Sequence, residues 1–368
     1  MTTNSSHGVK KIEDLYKIFF AAKLYPANAT TNSSYGVKKI ENLYKIFESM
    51  QDYGMPLLIH GEVTDSEVDI FDREEVFIDR ELFPIAKRFP KLKIVLEHIT
   101  TSYAVDFVQK NNIFFAAKLY PANATTNSSH GVKKIENLFK IFESMQDSGM
   151  PLLIHGEVTD SEVDVFDREE VFIDRELSQI TKRFPKLKIV LEHITTSYAV
   201  DFVQENNIGA TITPHHLHIN RNAMFFGGLN SDFYCLPVAK RENNRLALRK
   251  AATSGEKCFF LGTDSAPHLR KWKAFCGCAG IFNSPVAIES YLTVFEEEDA
   301  LDNFEKFASL NGPNFYNLPP NKEKLKLVSR PNKIKEYIDV VEEKNIIGQI
   351  KPFHAGETLQ WQIEGIEN

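Results

Sequence analysis

The chain has 368 residues, 43% apolar, 25% charged and 11% aromatic, the composition of a globular protein and not of a disordered or fibrous one, and its length allows one large domain or two ordinary ones. A net charge of −7 and a pI near 5.9 argue against nucleic acid as a partner, and no apolar run approaches the roughly 18 residues that a membrane span needs. The N-terminus lacks an apolar signal core and only Cys235, Cys258, Cys276 and Cys278 occur, so a reduced, cytoplasmic protein is expected.

The chain repeats itself. Residues 18–112 and 113–207 align without a gap at a period of 95, and 87 of the 95 pairs are identical. The differences include Tyr35 against His130, Tyr53 against Ser148 and Lys110 against Glu205. Residues 2–19 repeat residues 30–47 with two changes. Solenoid repeats are shorter and more diverged, so this pattern reads as recent duplication or as an error of gene assembly.

Both copies predict the same elements. In the second, IFFAAKLY (113–120) is an apolar run that reads as a buried strand. PANATTNSSHG (121–131) reads as a loop. Ile135, Leu138, Phe142 and Met145 share one helix face, with Gly149 as C-cap. MPLLIHGEV (150–158) is the next strand, 167–184 the next helix, and LKIVLEHIT (187–195) a third strand. Beyond the repeat, IGATITP (208–214) and KCFFLGTDS (257–265) read as further buried strands. Apolar strands alternating with amphipathic helices predict a parallel α/β protein.

Lys118, His155, His193 and Asp264 fall at the ends of these strands, the first three spaced by 37 and 38 residues, about one βα unit each. In a (β/α)8 barrel such strand ends converge on the face where chemistry occurs. Two histidines and an aspartate suit zinc. A lysine among them fits only if carbon dioxide converts it to a carbamate able to bridge two metals, while Asp264 could bind one metal and shuttle a proton. A strand-end histidine can equally be structural.

The strings AAKLYPANATTNSSHG, PLLIHGEV, LEHIT, ATITPHHL, YCLP, GTDSAPH and CGCAG, in this order and spacing, resemble bacterial dihydroorotases of the amidohydrolase superfamily from about residue 113 to the C-terminus. The resemblance implies a (β/α)8 TIM-type barrel that interconverts N-carbamoyl-L-aspartate and L-dihydroorotate in pyrimidine biosynthesis. It implies a zinc pair, of which this chain is expected to keep fewer, and a carbamate on Lys118 as the bridging ligand. His155 and His193 match ligands of the second zinc, with His155 also counted among the substrate contacts, and Asp264 matches a metal-bound general base and acid. His268, and the backbone groups of Leu236 and Ala279, match substrate contacts, and Thr125 and Thr126 match a loop that closes over substrate. The partners expected are the small-molecule substrate and a second copy in a homodimer, with neither nucleic acid nor membrane.

The family opens with a His-x-His-Leu-Arg strand that binds the first zinc and the substrate carboxylate, and a later strand supplies an asparagine; none of this precedes Lys118. The expected division is therefore a duplicated segment, 1–112, standing in for the first barrel strands, and a dihydroorotase-like portion, 113–368. The first three strands either close the barrel with the wrong side chains or leave it distorted and incomplete. An inactive binding scaffold, or a cyclic-amide hydrolase of altered specificity, stays open as an alternative. His216-Leu217-His218 reads as loop histidines at the site rim, Lys23, His60 and His98 as unused copies, and Cys276-Gly277-Cys278 as a loop beside the site and not a zinc ribbon. His354 reads as a packed or surface histidine in a segment of β character, and EEEDA (296–300) as a solvated helix face.

Overall fold

The computed structural model describes residues 22–24, 26, 37, 39–69, 72–97, 101, 103–104, 106–107, 117–119, 121, 132, 134–342 and 345–367. His98, Thr125 and Thr126 lie outside the described residues. Two compact units emerge, the first covering 1–120, 129–153 and 183–188, the second 121–128, 154–182 and 189–368.

In the first unit β1 (Ala22–Leu24), β2 (Leu57–His60) and β3 (Ile94–Glu97) form a parallel sheet in that order, with Ala22 opposite Leu57 and Leu57 opposite Ile94. Parallel neighbours need crossovers. Helix α1 (Tyr44–Asp52) supplies one, and a helical run at 73–88, loosened by a π turn at Ile78–Leu82, supplies the other. Phe47, Met50, Leu57, Ile59, Ile78, Leu82 and Leu96 are all buried. Each such side chain contributes about 1.5–3 kcal/mol by leaving water, so the first copy has a packed core of its own. The same unit holds β4 (Ala117–Leu119), α2 (Phe139–Ser148) and the first half of β5 (Leu152–His155). Gly149 takes the left-handed conformation, φ 70°, that ends α2, as the sequence predicts.

In the second unit the end of β5, then β6 (Ile189–Glu192), β7 (Gly209–Ile212) and β8 (Phe259–Leu261), are neighbours in that order, and Val190 pairs with Gly209 and Ala210 with Phe259 in parallel. The helical run 168–183 contains a π turn at Ile173–Leu177. Helices α3 (Ser197–Asn206), α4 (Pro214–His218), α5 (Glu242–Thr253), α6 (Arg270–Cys276) and α7 (Ala287–Glu297) follow. An antiparallel pair, β9 (Lys324–Lys333) with β12 (Thr358–Glu367), and a hairpin of β10 (Ile338–Glu342) with β11 (Asn345–Ile350) complete the chain.

Three details depart from the sequence reading. Lys118 is the middle residue of β4, not its end. The EEEDA run is more than a solvated face, because Glu297 and Glu298 clasp the buried Arg249 at 2.7 and 2.6 Å. His354 is packed, as the sequence allows, between Ser290 Oγ at 3.0 Å and Glu357 at 2.6 Å, but it lies in a turn at φ 61° and not in a segment of β character.

Candidate active site

His155 closes β5, and Gly156 follows it. A Cβ on Gly156 would stand 2.5 Å from Leu191 Cδ1, so any other residue at this crossing would have to displace that side chain. The crossing turns Glu157 back beneath the imidazole, Oε2 3.0 Å from Nε2, with both side chains 1% exposed. The other ring nitrogen, Nδ1, lies 3.0 Å from Nε2 of the buried His193. One imidazole nitrogen is thus held by a carboxylate while the other faces a second imidazole, the pairing seen when two histidines share a metal. His193 stands one residue past β6 in the left-handed region, φ 42°, an uncommon conformation for a non-glycine residue. Its N–H donates to Thr211 Oγ1 at 2.7 Å, and the next N–H, of Ile194, to Thr211 O at 3.0 Å, so β7 pins the bend.

Asp264 repeats the pattern. It lies past the end of β8, also at φ 42°, with its side chain exposed. Asn283 Nδ2 donates to Thr263 O at 2.7 Å, and Ser265 Oγ accepts from the N–H groups of Asn283 and Ser284 at 3.1 and 3.0 Å, bracing the bend on both sides. The buried Tyr291 hydroxyl donates to Ile212 O at 2.6 Å and ties down the end of β7. Burial pushes the Cys235 thiol up to about 12.

Of the substrate contacts expected from the sequence, His268 and Ala279 meet: His268 Nε2 bonds Ala279 O at 2.9 Å, and burial lowers this histidine from its ordinary value. The buried Lys273 ammonium donates to Ser231 O, Tyr234 O and Cys278 O at 2.6, 3.1 and 2.9 Å, tying the strip before Leu236 to the strip before Ala279. Burial lowers it to about 8. Lys273 carried no signal in the sequence, and neither did Glu157 or Asn283.

One reading needs correction. His216 and His218 are not rim histidines. They belong to α4; His216 is fully buried, and burial lowers the two to about 3 and about 4. Cys276 and Cys278 bring their sulfurs together across Gly277, at the end of α6. His215, His216 and Cys235 place one nitrogen or sulfur each within 4.8 Å of one another. Their hydrogen bonds argue against a metal there. His216 Nε2 and Cys235 Sγ both donate to Pro237 O, at 3.1 and 3.2 Å, and Asn283 Nδ2 donates to His215 Nδ1 at 2.9 Å, which leaves the proton on Nε2. In this hydrogen-bonding arrangement the cluster braces α4 against Pro237 and Asn283.

In the first unit His60 closes β2 as His155 closes β5, but His60 Nε2 stands 3.7 Å from Glu62, whose side chain is 39% exposed. Lys118 is half-buried in β4.

The model of the Amidohydrolase family matches residues 91–327. A dihydroorotase of Synechococcus sp. (strain CC9902) is 56% identical over 277 residues, 74% of this chain and 78% of its own. One from Erythrobacter litoralis is 59% identical over 257 residues, 69% of this chain and 73% of its own. Among solved structures, Saccharomyces cerevisiae dihydroorotase in complex with 5-fluoroorotic acid superposes with a TM-score of 0.68 at 28% identity, over 94% of this chain and 95% of that one. Campylobacter jejuni dihydroorotase gives 0.66 at 32% identity, over 84% and 88%. The chain belongs to the amidohydrolase family and, within it, to the dihydroorotases. Its fold class is accordingly the α/β TIM-type barrel that the sequence led one to expect.

Proposed function

We propose that the chain is a dihydroorotase in activity as well as by family, a zinc-dependent hydrolase of a cyclic amide that interconverts L-dihydroorotate and N-carbamoyl-L-aspartate in pyrimidine biosynthesis. The observation that carries this reading is the 3.0 Å approach of His155 Nδ1 to His193 Nε2 with Glu157 on the far nitrogen of His155. Two ring nitrogens on one tetrahedral zinc stand about 3.4 Å apart, given bonds of about 2.1 Å, so the donors fit the ion with little movement. When bound, zinc supplies Lewis acidity toward the ring carbonyl and a nucleophile at neutral pH.

The protein's own residues do the rest. Asp264, exposed at the mouth of its bend, takes the proton from the attacking group and returns it to the leaving ring nitrogen. His268 and the backbone at Leu236 and Ala279 orient the ring, and Lys273 keeps those strips in register. The reading also includes Thr125 and Thr126 in a loop that closes over substrate, and a carboxylated Lys118. The domain division at 112/113, a cytoplasmic location and a homodimer belong to the same reading. Among the described residues no helix is long and apolar enough to cross a membrane.

The sequence also favours a weakened enzyme. No His-x-His-Leu-Arg precedes Lys118, so the reading includes at most one tightly held zinc and turnover well below that of an intact relative. A lost charge-assisted carboxylate contact alone costs about 1.5–3 kcal/mol, on the order of 10–100-fold. The test is hydrolysis of L-dihydroorotate with added zinc and bicarbonate, beside an Asp264→Ala control. Slow turnover abolished by that substitution supports the reading; no zinc-dependent turnover supports the inactive scaffold, and turnover untouched by Asp264→Ala removes the assigned base.

A further inference from the structure

We infer that Glu169, whose carboxylate binds the chain just after His193, is the positioning residue that sets His193 in place. The inference rests on the zinc-site reading above. Glu169 lies in the first turn of the run 168–183 and is 2% exposed. Its carboxylate accepts from four donors on two successive residues. Thr195 N–H reaches Oε2 at 2.8 Å and Oε1 at 3.1 Å, Thr195 Oγ1 reaches Oε2 at 2.7 Å, Thr196 N–H reaches Oε1 at 2.9 Å, and Thr196 Oγ1 reaches Oε1 at 2.6 Å. These donors begin two residues after His193. Thr196 in turn caps α3, its Oγ1 accepting from Ala199 N–H at 3.1 Å.

The geometry makes this more than packing. His193 occupies a strained backbone conformation that its own sequence does not favour. Thr211 holds the N-terminal side of the bend through the His193 and Ile194 N–H groups. Glu169 holds the C-terminal side, and an acceptor-only carboxylate is the one side chain that can satisfy four converging donors at once. With both sides fixed, the imidazole is delivered to its place 3.0 Å from His155. Partners behind a ligand are worth about 10–100-fold in metal affinity, and Glu169 acts one step further back, on the backbone that carries the ligand.

The test is Glu169→Gln in the full chain, whose amide turns two hydrogens toward the existing donors. Thr195→Val, which removes a single donor, accompanies it should the first variant fail to fold. Glu74→Gln is the matched control, since Glu74 is the same residue one period earlier and is 4% exposed. Zinc affinity is read by chelator competition, site geometry by the visible spectrum of the cobalt-loaded protein, and the His193 ring by its 15N resonances in the metal-free protein. The expected result is a zinc affinity about 10–100-fold weaker with an altered cobalt spectrum in Glu169→Gln, a smaller loss in Thr195→Val, and no change in Glu74→Gln even if its melting temperature falls as far. Unchanged affinity and spectrum in Glu169→Gln or Thr195→Val would make the carboxylate a core prop only and overturn the inference. If the unmodified chain binds no zinc, the metal reading fails by itself. The ring resonances then decide positioning: one fixed tautomer that becomes averaged in Glu169→Gln supports it, and identical spectra refute it.

Discussion

His60 with Glu62 and His155 with Glu157 are the same residues in the same string, LLIHGE, each histidine closing a parallel strand. Yet the second pair meets at 3.0 Å with both side chains 1% exposed, while the first stands at 3.7 Å with its carboxylate 39% exposed. Identical local sequence yields identical secondary structure and nearly identical cores: Phe47 and Phe142, Leu82 and Leu177, Ile78 and Ile173 are matched in burial. It does not yield identical chemistry. What differs is the cover. Glu157 acts electrostatically on Tyr234 and Cys235, which belong to a segment that only the second unit possesses. A carboxylate that keeps its water has no reason to grip an imidazole; one that has lost it has no better partner.

The contrast can be broken most sharply at the proton-handling residue. Asp264→Ala should lower kcat by about 10²–10⁴-fold, the range of positioned general acid–base catalysis, and the first copy has no counterpart to rescue it. Residual turnover above a tenth of the unmodified rate would mean that another group moves the proton.

The cores test the other half of the comparison. Leu82 and Leu177 are both fully buried, so Leu82→Ala and Leu177→Ala should each cost about 2–5 kcal/mol, measured by denaturant unfolding of the whole chain. A Leu82→Ala cost below about 0.5 kcal/mol, the range of surface substitutions, would show that the first copy is a loose insert, as the sequence allowed.

Glu157→Gln should weaken zinc binding by about 10–100-fold, whereas Glu62→Gln should leave it unchanged. Equal effects would erase the distinction drawn from their burial.

The smallest effect per step lies in pH. Burial lowers His215 well below its ordinary value, His216 to about 3 and His218 to about 4. The folded chain therefore binds fewer protons than the unfolded one between the free value of 6.5 and those depressed values. The stability these residues contribute is intact above pH 6.5 and is lost as pH falls toward 4, at about 1.4 kcal/mol per pH unit for each histidine. Thermal melts at pH 7, 6 and 5 should fall steadily; a flat profile would mean that these imidazoles are wet.

Much of this was legible in the sequence. Apolar runs placed β4 to β8, the Ile135, Leu138, Phe142 and Met145 spacing marked a buried helix face, and Gly149 marked its end. His155 and His193 stood out because strand ends converge in a parallel sheet. Glu157 and Glu169 did not stand out, since a glutamate in a loop or first helical turn is ordinarily a solvated charge, and only tertiary cover converts it into a buried acceptor. The α4 histidines were misjudged for the same reason: a five-residue helix beginning at proline carries no periodicity from which burial could be read. The bends at His193 and Asp264 were hidden because the groups that hold them, Thr211, Asn283 and Ser265, lie 18 or more residues away or in a turn of no marked composition.

Under the proposed zinc reading, one copy of the repeated string builds the metal site and the other only scaffolds. Zinc analysis after exhaustive dialysis of the unmodified chain, His60→Ala and His155→Ala tests it directly. One equivalent or less is expected in the first two, at equal levels, and none in His155→Ala. Two equivalents in the unmodified chain, or loss of zinc on replacing His60, would contradict it.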